Sequence, residues 1–216
     1  MASNNPIKYD GWWVELNTLF QTTDVRIDDP EQVQIYNMNK VYDFFIRKGW
    51  TPNAIAGMLG NMMVESTVNP WVFQDRSLDW DHPTQIIMNQ GGMGLTQWTP
   101  CNKYYSWALD EHLDPKSGTT MCKRIKYEED HNLQWSLDNY GRHTWNDFVT
   151  STEEPWILAD VFLWAYERPA DPDEEQRWEN AEWVFANIHG SFRLPFMISS
   201  YRNKLGKVGK VKCLRI

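Results

Sequence analysis

The sequence predicts a mainly α-helical protein, with one domain over residues 31–190, an N-terminal arm (1–30) and a basic C-terminal arm (191–216). Three observations support this. Apolar residues recur at helical spacing over four long stretches. Helix start and stop residues bracket those stretches. A 216-residue chain with 42% hydrophobic residues can bury one good-sized core.

The first stretch, 31–48, places Val33, Tyr36, Met38, Val41, Phe44 and Phe45 near one face, and Gly49 closes it. The second opens with Thr51 as N-cap and Pro52 in the first turn, where a missing N–H costs nothing. Its apolar face is Ile55, Met58, Leu59, Met62 and Met63, and Asn69-Pro70 stops it. Residues 67–100 are rich in Pro and Gly and read as irregular. Shorter helices are expected near 101–112 and 119–130, then a loop over 136–145. Ser151 and Glu154 read as a capping box, with Pro155 in the first turn of a helix through Trp156, Ala159, Phe162, Leu163 and Tyr166 that Pro169 ends. A last helix carries Trp178, Ala181, Val184, Phe185 and Ile188 and closes at Gly190. The 191–216 segment has no helical stripe and is expected to be extended.

The net charge of −8 argues against a nucleic-acid binder. Residues 190–216 nevertheless hold seven basic residues and no acid, so this segment is either a docking arm or a solvated terminus. The 13 tryptophans and 14% aromatics are more than a core of this size needs, and surplus rings often line grooves for flat ligands or sugars. Three cysteines without C-x-x-C spacing suggest neither a zinc site nor a disulfide framework. No apolar run reaches the ~20 residues of a membrane span, and "MASNNPIKYDGWW" has no signal-peptide pattern. No metal or cofactor is expected, because the five histidines show no ligand spacing. The run Glu128-Glu129-Asp130-His131 reads as a charged helix face. Cys101 has no histidine placed beside it to make it a nucleophile.

The chemistry begins at "GMLGNMMVEST" (57–67). Glu65 falls on the same side of its helix as Met58 and Met62, so its carboxylate is aimed at apolar surroundings in the last turn. Both burial and the negative end of the helix dipole favour a carboxyl that keeps its proton. Such a group is a general acid of the kind glycoside hydrolysis needs. The competing expectation is a boundary Glu paired with Arg or Lys. Some thirty residues on, "GGMGLTQWTP" (91–100) combines a glycine turn with Gln97, able to offer its amide to a sugar, and Trp98, able to stack on a pyranose.

Together, "GMLGNMMVESTVNP", "GMGLTQWTP" and "FLWAYERPA" (162–170) resemble the phage tail lysozymes over about residues 35–190, and the first two motifs are also similar to those of goose-type lysozymes and lytic transglycosylases. The resemblance implies a lysozyme-like (α+β) fold in which a short β-turn or hairpin around Gly94, Leu95 and Gln97 walls the cleft. It implies Glu65 as the catalytic acid, Ser66 fixing that helix end, Gly94, Gln97, Trp98 and Glu167 as the substrate-binding set, and Glu167 and Arg168 as the "YERP" signature, with Glu167 expected either to brace the cleft through an ion pair with an arginine or to take a direct chemical role. Asp75, Asp79 and Asp81 on the long link 71–90 are candidates for a second carboxylate, and Glu65, Asp75 and Asp79 are the expected catalytic set. The implied activity is cleavage of the β-1,4 bond between N-acetylmuramic acid and N-acetylglucosamine in bacterial peptidoglycan, by an enzyme carried in a phage tail with other tail proteins and without a peptidase domain on the same chain. The alternatives are an inactive glycan-binding virion module, and an endolysin or lytic transglycosylase acting at host lysis.

Overall fold

The structure is a computed structural model; it describes residues 7–14, 30–74, 85–137 and 143–190. The C-terminal arm, residues 191–216, and Asp75, Asp79 and Asp81 lie outside the described residues. Among the described residues eight α-helices carry the fold: α1 (Pro30–Ile46), α2 (Pro52–Ser66), α3 (Gln85–Gln90), α4 (Asn102–Asp110), α5 (Gly118–Asp130), α6 (Trp145–Thr150), α7 (Pro155–Phe162) and α8 (Glu174–Asn187). A single π-helical turn, Leu163–Glu167, extends α7.

The helix α2 is the hub. Thr51 caps it, its hydroxyl accepting from Ala54 N at 3.2 Å, and Pro52 occupies the first turn, both as expected from the sequence. Helices α7 and α8 pack directly on α2. They come so close because α2 has glycines where they cross it. A Cβ on Gly60 would stand 2.6 Å from the Arg177 carbonyl oxygen and 2.8 Å from Ala181 N. Asn61, fully buried beside it, donates from Nδ2 to the carbonyls of Gly57 (3.0 Å) and Ala159 (2.9 Å), which ties α2 to α7.

Residues 7–14, expected in an N-terminal arm, instead form an antiparallel hairpin, β1 (Ile7–Tyr9) and β2 (Trp12–Val14), joined by Asp10-Gly11. Both turn residues have positive φ, which suits the twist of a two-residue hairpin. Trp12 and Val14 are buried in the core. Buried Asn37 of α1 holds the hairpin: its Oδ1 accepts from Trp13 N (3.0 Å) and its Nδ2 donates to Trp13 O (2.7 Å) and to Val68 O (3.0 Å).

The expected Ser151/Glu154 capping box does not form. Glu154 is the N-cap of α7 and makes no side-chain cap bond, while Ser151 Oγ accepts from Glu153 N. The capping box is Thr144 with Asp147, which starts α6 at the end of the segment expected to be loop. Much of the aromatic surplus is core. Trp50, Trp135, Trp145, Phe148, Phe162 and Tyr166 form one ring cluster, with Trp135–Trp145 centroids at 4.2 Å and Phe162 stacked on Tyr166 at 4.5 Å. No helix among the described residues is long and apolar enough to cross a membrane.

The tight crossing predicts that Gly60→Ala loses about 1–3 kcal/mol of stability, since the added methyl meets backbone rather than a flexible side-chain end. Denaturant melts of the two proteins will read it directly. An unchanged midpoint would mean that the helices can separate freely.

Candidate functional site

A cavity of about 660 Å³ opens between the end of α2, the glycine turn and the π-helical turn. Three sequence motifs supply its walls: Glu65 from α2, Gln97 and Trp98 from the turn, and Glu167 and Arg168 from the π segment.

Glu65 stands in the last turn of α2. The helix ends in an unusual way: Thr67 and Val68, both β-branched, take positive φ (53° and 58°), where a glycine is the common choice. Their N–H groups close back on Met63 O (3.2 Å) and Met62 O (3.3 Å), and Asn37 holds the Val68 carbonyl. The Ser66 hydroxyl donates to Leu95 O at 2.9 Å, tying the helix end to the glycine turn. In that turn Gly94 has φ +78°, and a Cβ there would lie 2.8 Å from the Met121 sulfur. An isolated bridge, Phe73 to Met93, is the β element on this side of the cavity.

The surroundings of Glu65 differ from the expected apolar setting. Its Oε1 accepts from Arg177 Nη2 at 2.8 Å. Arg177 is a buried guanidinium on α8 that also donates from Nη1 to Asn61 Oδ1 (3.0 Å) and from Nε to Pro172 O (2.7 Å). Met58 and Met62 turn into the core, while Glu65 keeps 16% of its side chain exposed at the cavity. The arginine brace expected at Glu167 thus belongs to Glu65. Glu167 lines the same cavity, and its Oε1 is buried without a hydrogen-bond partner among the described residues. Burial pushes its carboxyl well above the usual carboxylate range, the nearby Glu65 charge adds to this, and Arg177 opposes it. The π turn sets its position: Arg168 N donates to Leu163 O at 2.8 Å, and the Arg168 guanidinium donates to Gln134 O (2.8 Å) and Ala165 O.

The two residues expected to meet the sugar line the cavity and also hold its wall. Trp98 is 3% exposed, stacks on Tyr104 (4.8 Å, 15°) and donates its Nε1–H to Glu128 at 3.2 Å, so that face of its ring is taken. Gln97 Nε2 donates to Val72 O (2.9 Å) and Gly94 O (3.0 Å), which fixes the turn. The acidic run 128–131 divides in two. Glu129 and Asp130 pair with Lys126, Glu129 also accepting from the buried Trp50 indole (2.7 Å), while Glu128 is buried and accepts from Arg124 (2.8 Å), Trp98 and the Tyr166 hydroxyl (2.5 Å). Burial raises the Glu128 carboxyl, with Arg124 pulling the other way. Cys101 donates its thiol to Gly91 O, and burial pushes it up to about 11, so it stays a thiol at neutral pH.

Sequence reasoning missed Arg177 and Glu128. Each sits on an apolar helical stripe, Arg177 with Ala181, Val184 and Ile188, and Glu128 with Met121 and Ile125, all of them buried. A charge on such a stripe marks a buried polar anchor.

The sequence profile of a family described as phage tail lysozyme matches residues 36–188. A relative, "Morphogenesis protein 1" of Bacillus phage B103, is 40% identical over 154 residues, which is 71% of this chain and 40% of the relative. The chain therefore spans less than half the length of that relative.

Because burial raises the Glu167 carboxyl above its unfolded value, the folded state binds more protons than the unfolded chain between the two values. Stability is then greatest below that range and falls as pH rises toward the folded-state value, by about 1.4 kcal/mol per pH unit for one such group. Glu167→Gln is expected to lose this part of the slope and to gain on wild type as pH rises. Urea melts at several pH values test it, and parallel curves for the two proteins would contradict it.

Proposed function

This chain belongs to the phage tail lysozyme family, and from that membership we propose that it is a glycosidase that cuts the β-1,4 bond between N-acetylmuramic acid and N-acetylglucosamine in peptidoglycan. The observation that carries the reading is Glu65 at the cavity edge, fixed on one oxygen by Arg177, with its Oε2 in no hydrogen bond among the described residues. A carboxyl so held has its orientation set before substrate arrives, which is how position contributes to rate. In the forward step Glu65 gives a proton to the glycosidic oxygen, the C1–O bond breaks, and positive charge develops on the sugar ring. The carboxylate that Glu65 becomes as it gives up the proton stands beside that charge and favours it.

Gln97 and Gly94 shape the wall along which the glycan lies, and Glu167 forms its floor. Asp75 and Asp79 are the candidates for a carboxylate that activates water or supports the ring cation. The phage particle is the proposed place of action, supported by the name of the B103 relative, and host-wall peptidoglycan at genome entry is the proposed target. Other tail proteins are the proposed partners in the particle.

Glu65→Gln is expected to lose at least ~100-fold in wall clearing while still binding walls, since removing a general acid typically costs that much. A turbidity assay on purified walls with a sedimentation control measures both. Clearing equal to wild type would remove Glu65 from the reaction, and wall binding by wild type without release of new sugar ends would leave only a glycan-binding module. Product analysis separates the chemistry: a reducing end indicates hydrolysis, and an anhydro-sugar indicates a lytic transglycosylase.

A further inference from the structure

We infer that Lys103 pairs with a carboxylate of the peptide borne by the muramic acid residues, so that the cavity prefers glycan strands whose peptides carry free carboxylates. This deepens the reading of the cavity as a glycan cleft and rests on it.

The cations at the cavity do different work. The Arg168 guanidinium lines it and donates through Nη1 to the carbonyls of Gln134 and Ala165, which holds the π-helical turn. Arg177, behind Glu65, uses its donors on Pro172 O, Asn61 and Glu65. Lys103 also lines the cavity, from the first turn of α4, and it holds nothing. Its side chain is exposed, and its ammonium meets no carboxylate, carbonyl or aromatic ring among the described residues. Supply is not the reason, because the chain has 29 acidic residues against 21 lysines and arginines. The acids of the same cavity leave that ammonium uncompensated. Glu65 is matched by Arg177, and burial favours the neutral form of Glu167.

The substrate supplies what the protein withholds. The sugar rings of the glycan carry hydroxyls, ether oxygens and N-acetyl groups, all neutral. Its carboxylates sit on the peptide joined to the lactyl ether of each muramic acid. A strand seated with a glycosidic oxygen at Glu65 must lead such peptides out of the cavity, and Lys103 offers the unmatched positive charge at its exposed edge. An ammonium on a four-carbon stem is a mobile point charge, so it reads the presence of a carboxylate rather than an exact geometry. A pair of this kind, partly in water, has a small effect on affinity and is weakened by salt. It acts on ground state and transition state alike, so it appears in KM and leaves kcat unchanged.

The test uses the full chain and soluble glycan oligomers with their peptides, freed of phosphodiester polymers by hydrofluoric acid. In one portion the peptide amines are acetylated. In a second the amines are acetylated and the carboxylates then converted to neutral amides. On the first portion Lys103→Ala is expected to raise KM about 3- to 5-fold and Lys103→Glu about 10-fold, with kcat unchanged, while Lys103→Arg keeps the wild-type value. Added salt is expected to shrink those differences. On the second portion all four proteins are expected to share one KM. Equal shifts on both portions, or no shift on either, overturn the proposal. So does a shift seen only on walls that keep their phosphodiester polymers, which would give Lys103 to that polymer instead. If wild type and Glu65→Gln both fail to cut either portion, the glycosidase reading itself falls. Binding of the two portions, followed by tryptophan fluorescence, then decides Lys103 by the same comparison: weaker binding of the carboxylate form by Lys103→Glu supports the pair, and equal binding overturns it.

Discussion

One buried guanidinium organises this molecule. Arg177 reaches from α8 across the hub helix and uses Nε, Nη1 and Nη2 on three partners: the Pro172 carbonyl, Asn61 and Glu65. A buried arginine is tolerable only when its donors are met, and here the partners come from the loop before α8 and from two points on α2. The requirement runs both ways. Asn61 can accept from Arg177 only because its own amide is already fixed on the backbones of α2 and α7. Gly60 lets the backbone carrying the arginine come near enough for the contact. The placement of Glu65 is therefore a product of helix packing, and the tolerances of a core apply to it.

A second buried polar cluster repeats the pattern on the opposite wall. Glu128 gathers Arg124, Trp98 and Tyr166, linking α5 to the glycine turn and to the π-helical segment. The three motifs that form the cavity are thus each pinned from behind by a charged group on another helix. Trp98 gives one ring face to Tyr104 and its N–H to Glu128, and it also lines the cavity, so the wall's shape depends on it.

The legible parts of the sequence were those set by local chemistry. Thr51-Pro52 announces the start of α2, and the spacing of Met58, Leu59 and Met62 gives its buried face. Gly94 takes a positive φ that favours a residue without Cβ, and the three motifs do converge on one cavity. Asp10-Gly11 is an equally local hairpin signal that went unread, because it falls in a stretch of mixed composition. Thr144 with Asp147 competed with Ser151 and Glu154 for the same motif, and only tertiary contacts choose between them. The partner of Glu65 was beyond local reading. Arg177 lies 112 residues away, and no periodicity within α2 carries information about what α8 will bring to it.

Asn37 gives the fold a property that its helices alone would not have. One side chain joins the N-terminal hairpin to the Val68 carbonyl, three residues past Glu65. Tension applied to residues 7–14 would reach the left-handed corner that terminates the hub helix through this amide, shared with the bonds that tie Tyr9, Asp10 and Trp12 to residues 114–119.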